Sequence, residues 1–506
     1  IDAEKAFDRA PRGAIIAKAR AIGVRGRALQ LIENLYQHAS FKVRNGNYLS
    51  DIGAVEKGVK QGCPLSPILF CIFMNDLNKA IQKNAPTQGH SLYPHGPQIT
   101  AGKFADDVAM IAADHQTANH QQKTVSEWMD TWKMKANAIK CAVMIIQPMY
   151  PGYIPLDINP DDWKIQDQPI PIKNEYTYLG VNLNSALDLQ RIADFRLTKA
   201  KNVKNMCLKF FWSKSIPLHA KVLILKAVII PVISYGSEIW GWDDKASSDA
   251  DKIIIECIRN IISGSKSSNK QLLQLTLDIQ PTKTNAIQKS IRLFKKSSIS
   301  NTHFRDIVRG LEPTMCCWGS KTIEQIIALT EPINLEERLE FSKTPEQTDI
   351  EDKNFMTYIK DQLKRRDTQA LLKPPNPIES TKRFYEGESI KWNLEYLEAW
   401  KLRPEITKGF TVLLKIRITD FRGAYRLQRE GHGLASWATS CPFCNSQMLE
   451  YAEHMIMICS KWNPQREQIF GKPFLTEPKE MILISMVMGQ PIDITLQRTI
   501  PSIDET

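Results

Sequence analysis

The segment Lys103-Phe104-Ala105-Asp106-Asp107-Val108-Ala109-Met110 sets two adjacent carboxylates in the middle of an apolar run. Few folds tolerate that. The run divides into two strands, Ile99 to Ala105 and Val108 to Ala113, with the acid pair at the bend between them. Two carboxylates held this close repel, so at neutral pH they need a cation or a shared proton. A divalent, oxygen-preferring ion meets that need, and such sites carry out phosphate chemistry. An isolated Asp-Asp is ordinarily a turn dipeptide. This one does not stand alone.

A second acid cluster opens the chain, Ile1-Asp2-Ala3-Glu4-Lys5-Ala6-Phe7-Asp8, with Asp2 at the end of an expected buried strand and a helix-compatible segment after it. Between the two clusters lies Gly58-Val59-Lys60-Gln61-Gly62-Cys63-Pro64-Leu65-Ser66-Pro67. Ser66 suits an N-cap and Pro67 a first helical position, and Ile68 to Ala80 is apolar at helical spacing. In this order and at these intervals the three segments resemble the palm of reverse transcriptases, those of the non-LTR retrotransposon (long interspersed element) class in particular. Asp-x-x-Lys-Ala-Phe-Asp corresponds to that class's first palm motif, Gly-Val-Lys-Gln-Gly-Cys-Pro-Leu-Ser-Pro to its second and Phe-Ala-Asp-Asp to its third.

The resemblance covers roughly Ile1 to Lys296 and implies an α+β right-hand polymerase palm over residues 1–187, followed by a helical thumb-like domain over 188–300. It implies an RNA-directed DNA polymerase that extends a DNA primer or target on an RNA template from deoxynucleoside triphosphates. Asp2 and Asp106, with Asp107 in a lesser part, would hold two Mg²⁺ ions, and Ala3 would add a backbone carbonyl. By the resemblance Phe7 falls where the family keeps a bulky aromatic beneath the sugar of the incoming nucleotide, an aromatic that would exclude a 2′-hydroxyl; an arbitrary Phe there would be a core aromatic. Gln61 and Gly62 match the loop near template and nucleotide, while Lys60 stands where Arg is more usual and lacks its planar fork. Lys140, in the place of a Lys that follows Asn137, would neutralise the leaving pyrophosphate; an exposed Lys before a buried strand explains it equally well. Tyr178-Leu179-Gly180 fits the primer-grip hairpin.

Charge agrees with a polyanionic partner. The 506 residues carry a formal charge of +11. From Arg196 to Lys226 every charged residue is basic (Arg196, Lys199, Lys201, Lys204, Lys209, Lys214, Lys221, Lys226), interleaved with Phe210, Phe211 and Trp212, as a track for a phosphate backbone would be. Residues 301–400 form a charged, Pro-interrupted connector whose densest basic cluster is Lys364-Arg365-Arg366. No apolar run is long and uncharged enough for a membrane span, and no secretory signal is visible, so an intracellular protein of nucleus and cytoplasm is expected, with its ten cysteines mostly reduced core thiols.

Further along, Arg27 to His38 reads as a helix, and Phe41–Arg44 and Tyr48–Ile52 as a hairpin around Asn45-Gly46. His90 and His95 sit in a polar loop without companion ligands, and a proline-studded connection runs from Pro148 to Pro171. Near the end, Cys441-Pro442-Phe443-Cys444, His454 and Cys459 have the spacing of a four-ligand structural Zn²⁺ site. With Arg417 and Gly423 before it and Trp462 and Arg466 after it, this segment resembles the zinc-binding module downstream of some retroelement polymerases, placed at 401–475 with a tail at 476–506. His432 lies outside the ligand pattern and reads as structural. Because the chain starts within the first palm motif, the fingers are expected to be largely missing. A truncated, inactive relic retaining only nucleic-acid binding is therefore an alternative, and a group II intron maturase-like protein a weaker one.

Overall fold

The structure, a computed structural model, describes residues 1–37, 39–84, 90, 91, 96–146, 162–266, 268, 270, 273, 274, 277–299, 318–330, 345–372, 411, 412, 415, 427, 428, 431, 434–447, 452–471 and 473. His95, Arg417, Gly423, His432, most of the 148–171 connection, much of the 301–400 connector and the tail at 476–506 lie outside the described residues. The chain divides into two compact units, one of Ile1–Asp188 with Lys296–Met315, the other of Leu189–Lys295 with Cys316–Thr506.

The first unit mixes helices with short antiparallel hairpins. Its helices are α1 (Ala6–Arg9), α2 (Arg12–Ala21), α3 (Gly26–Gln37), α4 (Ser66–Asn84) and α5 (His115–Thr131). α4 is the central element: Leu69, Phe70, Phe73, Met74, Leu77 and Ile81 recur at helical spacing and are all buried, against α2 and α5 among others. Burial of each large side chain contributes about 1.5–3 kcal/mol. Asp114 caps α5, accepting from the Thr117 N–H at 2.7 Å.

A buried cation locks the same bundle. Lys18 of α2 donates to the Phe73 carbonyl at 2.7 Å and pairs with Asp76 at 2.8 Å, inside a cage of Phe73, Trp128 and Trp132. Desolvation depresses its pKa, with Asp76 opposing.

The hairpin expected around Asn45-Gly46 forms with a shifted turn and shorter ladders. β1 (Ser40–Phe41) pairs with β4 (Gly53–Ala54), and β2 (Arg44–Asn45) with β3 (Tyr48–Leu49). Asn45 is therefore the last paired residue, and Gly46-Asn47 is the turn, with Gly46 at φ +61°. Between the two ladders Ser50 Oγ accepts the Val43 N–H at 2.9 Å, and an extra residue on the returning strand makes a bulge. The acid-bearing hairpin forms as β5 (Ala101–Phe104) and β6 (Asp107–Met110), closed by Ala105 at φ +54° and Asp106. β7 (Lys164–Ile165) pairs with β8 (Gln168–Pro169), and β9 (Glu175–Tyr178) with β10 (Val181–Asn184).

Two expected strands reduce to isolated pairings. The start of the chain forms one bridge, Ala3 to Ala136, and the segment after Lys140 another, Val143 to Ile172.

The described part of the second unit is helical: α6 (Leu189–Trp212), α7 (Leu218–Ile224), α8 (Ile230–Ile233), α9 (Ser237–Trp240), α10 (Asp244–Ile262), α11 (Thr282–Ile299, in this unit as far as Lys295), α12 (Trp318–Thr330) and α13 (Pro345–Leu372). α7 runs into α8 through a π-helical turn at Leu225–Ile229. Pro231 explains it: its ring lacks an N–H and crowds the carbonyl four residues back, so the helix widens. The basic run is only partly a surface. Lys204 is buried against Glu256 at 2.8 Å, Lys221 is buried and Arg196 lies over the Tyr235 ring, whereas Lys199, Lys201, Lys209 and Lys214 are exposed. Among the described residues, no helix is long and apolar enough to cross a membrane.

Candidate active site and metal centre

Backbone pairing brings the two acid motifs together. The Val108 N–H donates to the Ile1 carbonyl at 3.0 Å, so the residue after Ile1 lies beside the residue before Val108. On its other side the first motif is held by Asn137 N–H to the Asp2 carbonyl at 2.9 Å and by Glu4 N–H to the Lys135 carbonyl at 2.7 Å. Asp2 and Asp107 consequently open into one depression of about 570 Å³, with Ile139, Lys140, Lys173, Glu175, Tyr176, Thr177 and Asn182 around it. Lys140 Nζ stands 4.0 Å from the Asp2 carboxylate, with its side chain 68% exposed.

The electrostatics ask for a cation. Burial raises the Asp107 pKa, and the charges of Asp106 and Asp2 raise it further, with the Ile1 amino group and then Lys140 opposing. A partly buried carboxylate with two further carboxylates close by has the donor chemistry of a divalent, oxygen-coordinated ion.

Other expected residues are not among those lining the depression. The Phe7 ring stacks on buried Phe70 with centroids 4.4 Å apart, and the Phe7 carbonyl accepts the Val59 N–H at 2.8 Å. Gln61 Nε2 donates to Asp8 Oδ1 at 2.9 Å, and Gly62 sits at φ +80° with open space around it. Ala3 is buried in its bridge to Ala136, and Asp106 occupies the hairpin turn. The loop before α4 is clamped by Gly58 (φ +85°), whose N–H donates to the Ala10 carbonyl, and by Arg12, which bonds the carbonyls of Tyr36, Val55 and Gly58.

Residues 1–183 match the family described as reverse transcriptase (RNA-dependent DNA polymerase). This segment belongs to the reverse transcriptase family. Its similarity extends to a probable RNA-directed DNA polymerase from transposon X-element of Drosophila melanogaster, 29% identical over 42% of this chain and 22% of the relative. The RNA-directed DNA polymerase from mobile element jockey of Drosophila funebris is 23% identical over 48% of this chain and 25% of its own length. A Pol polyprotein from the type-1 retrotransposable element R2 of Popillia japonica is 24% identical over 54% of this chain and 43% of its own. The chain thus spans under half the length of these relatives.

Three residues of the reverse transcriptase segment escaped sequence reasoning. Cys141 is fully buried, and its Sγ receives the Asp2 N–H at 3.3 Å. Tyr176 donates its hydroxyl to the Lys140 carbonyl at 2.8 Å, fixing the loop that carries Lys140. Gly58 admits the backbone of Asp8, 2.6 Å from where a Cβ would lie. Only Gly58, the first residue of the second motif, offered a local signal; the other two depend on contacts across 139 and 36 positions.

The second candidate centre is distal to that segment. Cys441 Sγ, Cys444 Sγ, His454 and Cys459 Sγ bring four donor atoms within 4.8 Å of one another. Cys441 and Cys459 sulfurs are 3.9 Å apart, and Cys444 Sγ is 3.3 Å from His454 Nε2. Ligands about 2.3 Å from a tetrahedral zinc stand about 3.7 Å apart, so the set fits that ion. Without a metal, burial pushes Cys459 up to about 12 and raises Cys441, while burial and then Arg466 lower His454, keeping the imidazole neutral. Arg466 braces the cluster from behind. Its buried guanidinium donates to the Met455 carbonyl at 2.9 Å and also to the carbonyls of Cys459 and Pro473.

Proposed function

We propose that this chain is the RNA-directed DNA polymerase portion of a non-LTR retrotransposon protein, acting on an RNA template, a DNA primer or target, and deoxynucleoside triphosphates. The observation that carries the reading is the pairing of Ile1 with Val108, which sets Asp2 beside Asp107. In this reading residues 1–187 are the palm, 188–300 a thumb-like domain, 301–400 a connector and 401–475 a zinc module. The protein works inside the cell, in nucleus and cytoplasm.

Asp2, Asp106 and Asp107 would hold two Mg²⁺ ions, which when bound activate the primer 3′-hydroxyl and steady the leaving pyrophosphate. The chain's own contribution is positional. The Ile1–Val108 and Asp2–Asn137 pairings fix the acid corner, and Tyr176 fixes the Lys140 loop beside it. Lys140, with its side chain exposed, would meet the negative charge of the departing pyrophosphate. Phe7, braced by Phe70, would police the sugar, and Gln61 and Gly62 would border the template. Cys441, Cys444, His454 and Cys459 would hold a structural Zn²⁺.

Primer extension on an RNA template with Mg²⁺ tests the reading. Incorporation by the wild-type chain that falls at least about 1,000-fold in Asp106→Ala is expected, in line with loss of the principal electrostatic term in catalysis. Binding of template–primer with no incorporation would leave a nucleic-acid-binding protein and refute the polymerase.

A further inference from the structure

The basic triplet Lys364-Arg365-Arg366 has no part in the polymerase reading. On α13 it is split three ways: Lys364 pairs with Asp278 at 3.1 Å, Arg365 is exposed, and Arg366 turns into a depression of about 480 Å³. Trp242, Lys283, Ile287, Lys321 and Gln325 line that depression with it, and Glu324 is the one carboxylate among the lining residues. Three helices each supply a cation: Lys283 from α11, Lys321 from α12 and Arg366 from α13.

The floor is built for an aromatic face. A Cβ at Gly241 would stand 2.4 Å from Ala286 Cβ, so glycine lets α11 come close and seats Trp242 beside Lys283 and Ile287. The half-buried Trp242 donates its indole N–H to the Glu238 carbonyl at 3.0 Å, which fixes the ring in the lining of the depression. Among the cations, Lys321 is exposed and has no ion-pair partner among the described residues. Arg366 gives Nη1 to Gln325 at 2.9 Å and keeps Nε 4.0 Å from Asp367. Lys283 reaches Asp244 in an exposed pair of the kind that contributes little and is easily exchanged for a phosphate.

Cations supplied by three helices to a depression that an indole also lines match a nucleotide within a single strand, its phosphate among the cations and its base on the ring. A duplex keeps its bases stacked internally and has no use for Trp242. We propose that this depression binds single-stranded nucleic acid through the phosphodiester backbone, with one base stacked on Trp242. The proposal rests on nucleic acid being the partner but not on polymerisation.

Fluorescence anisotropy of a labelled oligouridine with the full chain, titrated between about 50 and 200 mM salt, tests it. Lys321→Gln is expected to reduce the slope of log affinity against log salt by about 0.7, and Lys321→Gln with Arg366→Gln by about 1.4. Trp242→Ala is expected to weaken single-strand binding roughly tenfold, and Trp242→Phe to retain most of it. Should Trp242→Ala disturb folding, the exposed Lys321→Gln change still decides. An unchanged slope in Lys321→Gln overturns the proposal. So does a Trp242→Ala loss that is equal for blunt duplex and single strand. Primer extension by the wild-type chain is read separately, so either reading can fail alone.

Discussion

Asp107 shows how much of a site can be read residue by residue. The acid pair interrupting an apolar run was visible in the sequence, and so was its demand for a cation. Spacing alone did not name its neighbour, but the resemblance named Asp2, and the pairing of Ile1 with Val108 across more than a hundred residues sets Asp2 beside Asp107. The raised pKa of Asp107, caused by burial and then by Asp106 and Asp2, has a consequence for stability. An acid whose folded pKa exceeds its unfolded value binds protons more readily when folded. The metal-free fold therefore loses stability as pH rises from the ordinary carboxylate range through the raised value, and it regains it on acidification. Asp107→Asn removes that cost. At neutral pH the metal-free variant should melt a few degrees higher than wild type, with a flatter pH dependence. Mg²⁺ should raise the wild-type melting temperature and leave the variant's nearly unmoved. Thermal melts at mildly acidic and neutral pH check both, and equal metal-free melting temperatures at neutral pH would refute the electrostatic account.

At the level of elements, periodicity served better than turn chemistry. The helix read over Arg27 to His38 forms as Gly26–Gln37, and the apolar run after Ser66 forms α4, because their buried positions repeat at 3.6 residues regardless of context. The hairpin turns one residue later than read, at Gly46-Asn47 with Gly46 at φ +61°, and between its ladders the Ser50 hydroxyl takes the Val43 N–H, a side-chain choice that pattern alone does not reveal. The loop leading into α4 depends on a single permissive residue. Gly58 combines φ +85° with the backbone of Asp8 at 2.6 Å, so any Cβ meets both strain and a clash. Gly58→Ala should destabilise the fold by about 2 kcal/mol or more and should loosen the Gln61–Asp8 contact before α4. Denaturant unfolding measures the first effect. Preserved stability would show that the loop can be rebuilt without its close approach to Asp8.

For the molecule as a whole, linear charge was a poorer guide than ligand spacing. The acid-free run from Arg196 to Lys226 loses Lys204 to Glu256 of α10, since a helix finds its counter-charges on other helices and not along its own sequence. The Cys-His pattern, in contrast, assembles as read, because four ligands for one ion impose a local geometry that spacing alone nearly determines. The two candidate metal centres also fall in different compact units. Each ion should accordingly govern a separate unfolding event. A zinc-selective chelator should expose the amides around Cys441 to Arg466 to rapid hydrogen exchange, since structural zinc contributes about 10–16 kcal/mol to modules of this kind. The core of α4 in the first unit should keep its protection. Mg²⁺ should act in the opposite sense, protecting β5 and β6 without effect on the cysteine cluster. Arg466→Ala, which removes the brace behind Cys459 but no ligand, should weaken zinc retention by roughly 10- to 100-fold. Chelation that melted both units together would mean they unfold as one cooperative body, and the assignment of one ion to each would fail.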